Sequence, residues 1–151
     1  KGFSMKRQNF SRKREAILRT ICETEIHPAA EWVYQKLKPE YPDLSLGTVY
    51  RNIAKFKEEG SIVCVGVVNG QERLDGNVSP HAHFICRSCG AVLDLPKDFL
   101  PQESGRRAEE AFGHKVETCA LMFYGVCAGC LQKSQTMPGM LRQEGADSGV
   151  A

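Results

Sequence analysis

The tightest constraint on this chain is a pair of spacings, Cys86-Arg-Ser-Cys89 and Cys127-Ala-Gly-Cys130. Two knuckles of this form supply four thiolates at tetrahedral angles, a donor set suited to structural Zn²⁺. A redox dithiol is the other use of such a pair, but two matched pairs in one small region favour the metal. Between Cys89 and Cys127 lie 37 residues. That is more than an ordinary zinc ribbon holds, and enough for a strand, a helix and a strand. A zinc ion there staples both ends of the second half of the chain. The N-terminus is basic but lacks the apolar stretch of a secretory signal. The seven cysteines therefore read as thiols of a reducing compartment, and a cytoplasmic location is expected. Cys22, Cys64 and Cys119 are scattered, and Cys119 reads as a buried free thiol.

At 151 residues the chain makes one modest domain or two small ones. Hydrophobic residues at 42% and charged residues at 25% exclude a disordered, collagen-like or simple coiled-coil chain. No run approaches the ~18 apolar residues of a membrane span, so no membrane partner is expected. Charge is unevenly placed. The first 60 residues hold 12 Lys/Arg and 8 Asp/Glu, while the rest hold 8 and 10. A basic front half points to an anionic partner for that half alone.

Local signals divide the front half into three helices and a hairpin. Ser11 caps a helix from Arg12, with Ile17, Leu18, Ile21 and Cys22 at helical spacing. Cations Arg12-Lys13-Arg14 then fall in its first turn, where a phosphate would offset their repulsion by the helix dipole; three solvated side chains are the equal alternative. A second helix follows His27-Pro28 and stops at Lys38-Pro39. Ser45 caps a third, ended by Gly60, with Leu46, Val49, Ile53 and Phe56 as its apolar stripe. Ile62–Val68 and Gln71–Leu74 read as strands joined by a type I′ turn at Asn69-Gly70. That order is the order of a winged helix-turn-helix, and a helical bundle with an incidental hairpin is the bland alternative. In the winged reading the third helix faces DNA, with Ser45, Thr48, Tyr50, Arg51, Asn52 and Lys55 as the candidate contacts; Arg suits guanine, while Thr, Tyr and Lys suit phosphate and sugar.

Ser79-Pro80 marks a hinge, 78–82, after a DNA-binding domain of 1–77. A second domain, 83–131, contains strands at His83–Cys86 and Ala91–Leu95. A loop at 96–101, a helix at Glu103–Phe112 and a long strand at Lys115–Val126 complete it. Long strands in so small a unit invite pairing across a homodimer. Residues 132–151 read as a flexible tail. The expected class is α+β: an N-terminal winged helix-turn-helix domain followed by a small α/β dimerisation domain with a four-cysteine zinc site.

A quieter group surrounds this junction. His27, Asp75, His81, His83 and Asp94 all sit near element ends. Each alone has an ordinary reading, a turn histidine before Pro28 or a solvated strand carboxylate, and the residues by themselves leave the matter open. The run Ser45-Leu-Gly-Thr-Val-Tyr-Arg-Asn, the His81 to Cys89 segment (His-x-His-x-x-Cys-x-x-Cys) and Tyr124-Gly-Val-Cys-Ala-Gly-Cys130 together resemble the ferric uptake regulator family, colinearly from about Ser11 to Cys130. The likeness is greatest to its peroxide-sensing branch. The resemblance implies that His27, Asp75, His81, His83 and Asp94 form a three-His, two-Asp regulatory site. Its mixed imidazole and carboxylate donors suit Fe²⁺ or Mn²⁺. Aspartate at position 94 marks the peroxide-sensing branch, where iron- and zinc-sensing relatives commonly carry glutamate.

The expected protein is thus a metal-dependent repressor, dimeric on a palindromic double-stranded DNA site. It is expected to sense H₂O₂ by oxidation of His27 and His81. Reversible metal sensing is the alternative. No catalytic residue and no enzyme activity are expected: His27-Pro-Ala-Ala-Glu31 lacks the spacing of a zinc deaminase, and four thiolates leave zinc no open position. Two departures from the family pattern stand out, Val78-Ser-Pro in place of a His-rich run and Thr118-Cys119 in place of two histidines. They argue against a second regulatory site, and His114 has no assigned role.

Overall fold

Apolar residues at helical spacing bring three helices around one core. The computed structural model describes residues 2–99 and 103–136, with side chains from Arg12 onward. Helix α1 spans Gly2–Cys22, α2 Ala30–Leu37 and α3 Leu46–Glu58. Ile17 and Ile21 of α1, Val33 and Leu37 of α2, and Val49, Ile53 and Phe56 of α3 are buried together with Leu44, Ile62 and Leu74. Burying each such side chain contributes roughly 1.5–3 kcal/mol. Helix α3 begins as its sequence dictates: the Ser45 hydroxyl accepts from the Thr48 amide at 3.1 Å.

Strands β1 (Val63–Val68) and β2 (Gln71–Asp75) form the wing, an antiparallel hairpin with a bulge between Cys64 and Gly66. Asn69 (φ 53°) and Gly70 (φ 77°) are both left-handed, as a type I′ turn requires. Strand β2 runs one residue past the expected Leu74, which makes Asp75 its last residue.

The second sheet has the order β4-β3-β5, from β3 (Ala82–Cys86), β4 (Val92–Leu95) and β5 (Met122–Gly125). β3 pairs antiparallel with β4 and parallel with β5. A 3-10 turn covers Lys97–Phe99, α4 covers Ser104–Phe112 with Gly113 as its left-handed stop (φ 68°), and α5 covers Ala128–Thr136. Buried apolar side chains among the described residues here are few: Ala82, Ile85, Cys86 and Val92. Neither α4 nor α5 buries a residue, so this half of the chain has little core of its own.

Four expectations are corrected. Ser11 is not a cap, because α1 continues back to Gly2; Arg12, Lys13 and Arg14 therefore lie in mid-helix, away from the positive dipole end. Lys13 and Arg14 instead pair with Asp43 and Glu59. The long strand Lys115–Val126 shrinks to Met122–Gly125, since its partner β3 offers only His83–Cys86 as pairing positions. Cys119 is exposed, not buried. The tail expected to be flexible from 132 is helical through Thr136, and 137–151 lie outside the described residues.

Candidate metal centres and DNA-facing helix

Strand β3 ends in Cys86, and a tight turn brings Cys89 round beside it. Cys127 precedes α5 and Cys130 lies in its first turn. The four thiols, 37 residues apart between knuckles, converge so that one ligand atom from each lies within 4.8 Å of the others. Cys86 Sγ is 4.0 Å from Cys130 Sγ, and Cys89 Sγ is 3.8 Å from Cys127 Sγ. Thiolates about 2.3 Å from a tetrahedral Zn²⁺ stand roughly 3.8 Å apart, so the spacing fits that ion and is too long for disulfides. The Cys127 amide donates to Cys86 Sγ at 3.3 Å and favours its thiolate, drawing that thiol down to about 6.

The second cluster draws on five different segments. His27 comes from the loop between α1 and α2, Asp75 from the end of β2, His81 from the connection before β3, His83 from β3 and Asp94 from β4. His83 and Asp94 are directly opposite each other in the β3–β4 ladder. Asp75 is held from behind: its Oδ1 accepts from the Asn77 amide at 2.7 Å. The next residue, Gly76, packs so closely on α1 that an added Cβ would lie 2.6 Å from Cys22 Cα. His27 has a left-handed φ of 52°, a conformation that costs a non-glycine residue about 1–3 kcal/mol and clusters at functional sites.

All three imidazoles present Nε2 to the same two carboxylate oxygens. Asp75 Oδ2 lies 3.5, 3.1 and 3.1 Å from Nε2 of His27, His81 and His83. Asp94 Oδ1 lies 2.8, 3.0 and 3.3 Å from the same three atoms. Ligands about 2.1 Å from one cation stand roughly 3.0–3.5 Å apart, which is the spacing observed.

Hydrogen bonding points the same way. His81 Nδ1 is 2.7 Å from the Ser79 carbonyl, an acceptor only, so Nδ1 carries the proton. In the neutral ring Nε2 is then a lone pair facing two anionic oxygens, an arrangement that calls for a cation between them. Both nitrogens of His27 are buried without a hydrogen-bond partner, although Nε2 is only 2.8 Å from Asp94. Its Nε2 lies near both carboxylate oxygens without hydrogen-bond geometry to either.

The proton balance reflects the crowding. Burial works against protonation of His27, but Asp75 and Asp94 beside it raise its pKa. Burial likewise opposes protonation of His81, yet the Ser79 carbonyl and Asp94 raise it. His83 is lowered by burial and by the two other imidazoles. Burial alone would raise Asp75; the His27 imidazole beside it and hydrogen bonds from the Asn77 amide and His83 outweigh it and hold the carboxyl down to about 2. Four of the five side chains are at most 8% exposed, whereas Asp94 is 44% exposed. The cluster therefore opens to solvent on the Asp94 side.

On α3, Ser45, Tyr50, Arg51 and Lys55 are exposed, with Thr48 half-buried among them. Ser45 Oγ, Thr48 Oγ1 and an Arg51 guanidinium nitrogen form a chain of contacts at 2.8 and 3.1 Å. The Tyr50 hydroxyl donates to Glu31 of α2. Asn52 departs from this group. It is 3% exposed, its amide donates to the Thr48 carbonyl at 2.8 Å and its Oδ1 faces Arg14. It braces α3 against α1 from inside and does not face outward. Lys57, passed over in the sequence, ties α3 to the wing through Glu72 at 2.7 Å. Arg73 also escapes the sequence reading, where its only signal is a cation two residues before the buried strand end at Asp75.

Among the described residues no helix is long and apolar enough to cross a membrane. The family model described as "Ferric uptake regulator family" matches residues 6–124. The "Peroxide-responsive repressor PerR" of Staphylococcus aureus is 34% identical over 121 residues, 80% of this chain and 81% of that protein. Among solved structures, the Campylobacter jejuni peroxide stress regulator superposes with a TM-score of 0.72 at 28% identity, covering 84% of this chain and 95% of that one. The Vibrio cholerae ferric uptake regulator gives 0.62 at 25% identity, covering 76% and 88%.

Proposed function

Given that this chain belongs to the ferric uptake regulator family, whose members are metal-responsive regulators, we propose that it is a DNA-binding repressor that senses hydrogen peroxide through the three-His, two-Asp cluster. The observation that carries the reading is the convergence of three Nε2 atoms and two carboxylate oxygens, with His27 left unpartnered inside it. Cys86, Cys89, Cys127 and Cys130 would hold Zn²⁺ and keep the second half of the chain in shape. His27, Asp75, His81, His83 and Asp94 would hold Fe²⁺ or Mn²⁺. Zinc is redox-silent and its four-thiolate site closed, so the sensing chemistry is assigned to the second cluster.

Fe²⁺ held there would supply the redox chemistry that cleaves the O–O bond of H₂O₂ beside the rings. His27 and His81 are the proposed sites of oxidation: overall, one oxygen of H₂O₂ would be inserted into a ring C–H of the imidazole and the other would leave as water, with no net change in the oxidation state of the metal. The exposed edge at Asp94 admits a small oxidant, while the buried rings of His27 and His81 exclude larger ones. An oxidised imidazole is a poorer ligand, so the five residues lose their common hold. His27 and Asp75 belong to the helix-and-wing unit, proposed as residues 1–77; His83 and Asp94 belong to the unit 83–131. Holding all five together sets the angle between the two units, and with it the spacing of two α3 helices in a homodimer on a palindromic DNA site. Ser45, Thr48, Tyr50, Arg51 and Lys55 are the proposed DNA contacts. The protein is consumed by oxidation and does not turn over, and a cytoplasmic location is part of the same proposal.

Brief H₂O₂ exposure of zinc-retaining protein, loaded with Fe²⁺ or with Mn²⁺, tests this directly. Peptides carrying His27 or His81 are expected to gain about 16 Da with iron only. Confirmed iron occupancy without histidine oxidation would leave reversible metal sensing as the better account.

A further inference from the structure

We propose that Arg73 is the positioning residue that sets His27 for metal binding, by strapping the His27 loop to the first cysteine knuckle. The inference rests on the metal-binding reading of the five-residue cluster. Arg73 lies on β2, two residues before Asp75, and its guanidinium is half-buried. It has no carboxylate partner within ion-pair distance among the described residues. Every bond it makes goes to a backbone carbonyl. Nε donates to His27 O at 2.5 Å, a terminal nitrogen to Ile26 O at 2.7 Å, and the other to Gly90 O at 2.9 Å. The planar fork of guanidinium reaches three acceptors at fixed angles, which an ammonium cannot do.

The three carbonyls belong to two functional segments. Ile26 and His27 form the loop in which His27 takes its left-handed φ of 52°. With its own carbonyl and the preceding one both fixed by Arg73, the loop is held on either side of that strained residue. The adjoining bond from the Leu74 amide to Pro28 O, at 3.0 Å, holds the chain beyond it. Gly90 closes the turn that carries Cys86 and Cys89. It is buried, has φ +72°, and sits so close to the wing tip that an added Cβ would lie 3.1 Å from Val68 Cγ1 and 3.3 Å from the Asn69 amide nitrogen. The cysteine knuckle is therefore seated on the wing, and Arg73 is the polar link running from that seat to the loop of His27. Neither nitrogen of His27 has a hydrogen-bond partner to orient its ring. Its direction therefore depends on the backbone that Arg73 holds.

The experiment uses full-length, zinc-loaded protein and its Arg73→Met and Arg73→Lys variants, titrated with Mn²⁺, with Co²⁺ absorption as a second readout of the ligand set. Zinc content is expected to stay at the wild-type level in both. Mn²⁺ affinity is expected to fall by about 10–100-fold in Arg73→Met, as for other residues that orient a ligand, and by less in Arg73→Lys. The Co²⁺ spectrum is expected to change in the sense of a lost nitrogen ligand. A purely structural role would lower thermal stability without moving that spectrum. Should Arg73→Met fail to fold, Arg73→Lys carries the test, because it keeps the charge and loses the fork. Wild-type Mn²⁺ affinity and an unchanged Co²⁺ spectrum in a folded variant would overturn the proposal. A wild-type protein that takes up neither ion, or takes them up equally well after His81→Ala, would instead defeat the metal-site reading itself.

Discussion

Arg51 is held ready on α3 by Thr48, which in turn meets the cap residue Ser45. If its fork reads guanine, Arg51→Ala is expected to narrow the affinity gap between operator and scrambled DNA by about 1–3 kcal/mol. Competition binding at constant salt measures this, and equal loss on both DNAs would mark a phosphate contact. The metal cluster makes a pH prediction at the same scale. His27 and His81 hold their protons above the ordinary imidazole value of 6.5, because burial is outweighed by the carboxylates around His27 and by Ser79 and Asp94 around His81. Metal must displace those protons. Mn²⁺ affinity is therefore expected to rise with pH through and above 6.5, then level off once both rings are neutral. Calorimetry in two buffers of different ionisation enthalpy should detect the released protons. Individual residues were unevenly legible. The cysteine spacing picked out the four thiols that the fold brings together, because two-residue gaps in matched pairs have few uses. Asp75 and Asp94 gave no such signal alone, since a carboxylate at a strand end is usually solvated. Asn52 stood among the candidate DNA contacts, and only the packing of α1 shows it turned inward.

Element ends followed local chemistry wherever a strong signal stood. Ser45 starts α3, Gly113 ends α4 and Asn69-Gly70 turns the wing. Ser45→Ala is expected to cost about 1 kcal/mol in thermal or denaturant unfolding. It should also weaken DNA binding, since Thr48 then loses the partner that orients it toward Arg51. Signals failed where pairing or continuation decided the outcome. A helix already running from Gly2 passes through Ser11, because a serine caps only when the residues before it leave the helix. Apolar content from Lys115 to Val126 reads as a long strand, but a strand extends only as far as it finds hydrogen-bond partners. The ladder with β3 runs from Met122 to Gly125, with one further bond from the His83 amide to the Leu121 carbonyl.

For the whole molecule, stability is unequally shared. The continuous core is drawn from Ala16 to Leu74, while among the described residues the second half buries only Ala82, Ile85, Cys86 and Val92 as apolar side chains. Phe99, Phe112, Phe123 and Tyr124 are exposed there, an apolar surface in keeping with the proposed homodimer. Removing zinc by a strong chelator under reducing conditions is expected to abolish amide-exchange protection in β3–β5 and to dissociate the dimer. Protection in α1–α3 should survive, because that core needs no metal. Hydrogen-exchange mass spectrometry and sedimentation would report the two effects separately. What the sequence by itself determined was the set of parts: helix caps, turn, wing and zinc knuckles, all encoded within a few residues of one another. Tertiary structure alone decided which distant side chains meet. His27, Asp75, His81, His83 and Asp94 come from five segments spread over 68 residues. Around their shared point the Gly90 turn is seated on the wing and Gly76 lies against Cys22. Those contacts are close approaches between remote elements, and local residue pattern carries no record of such distances.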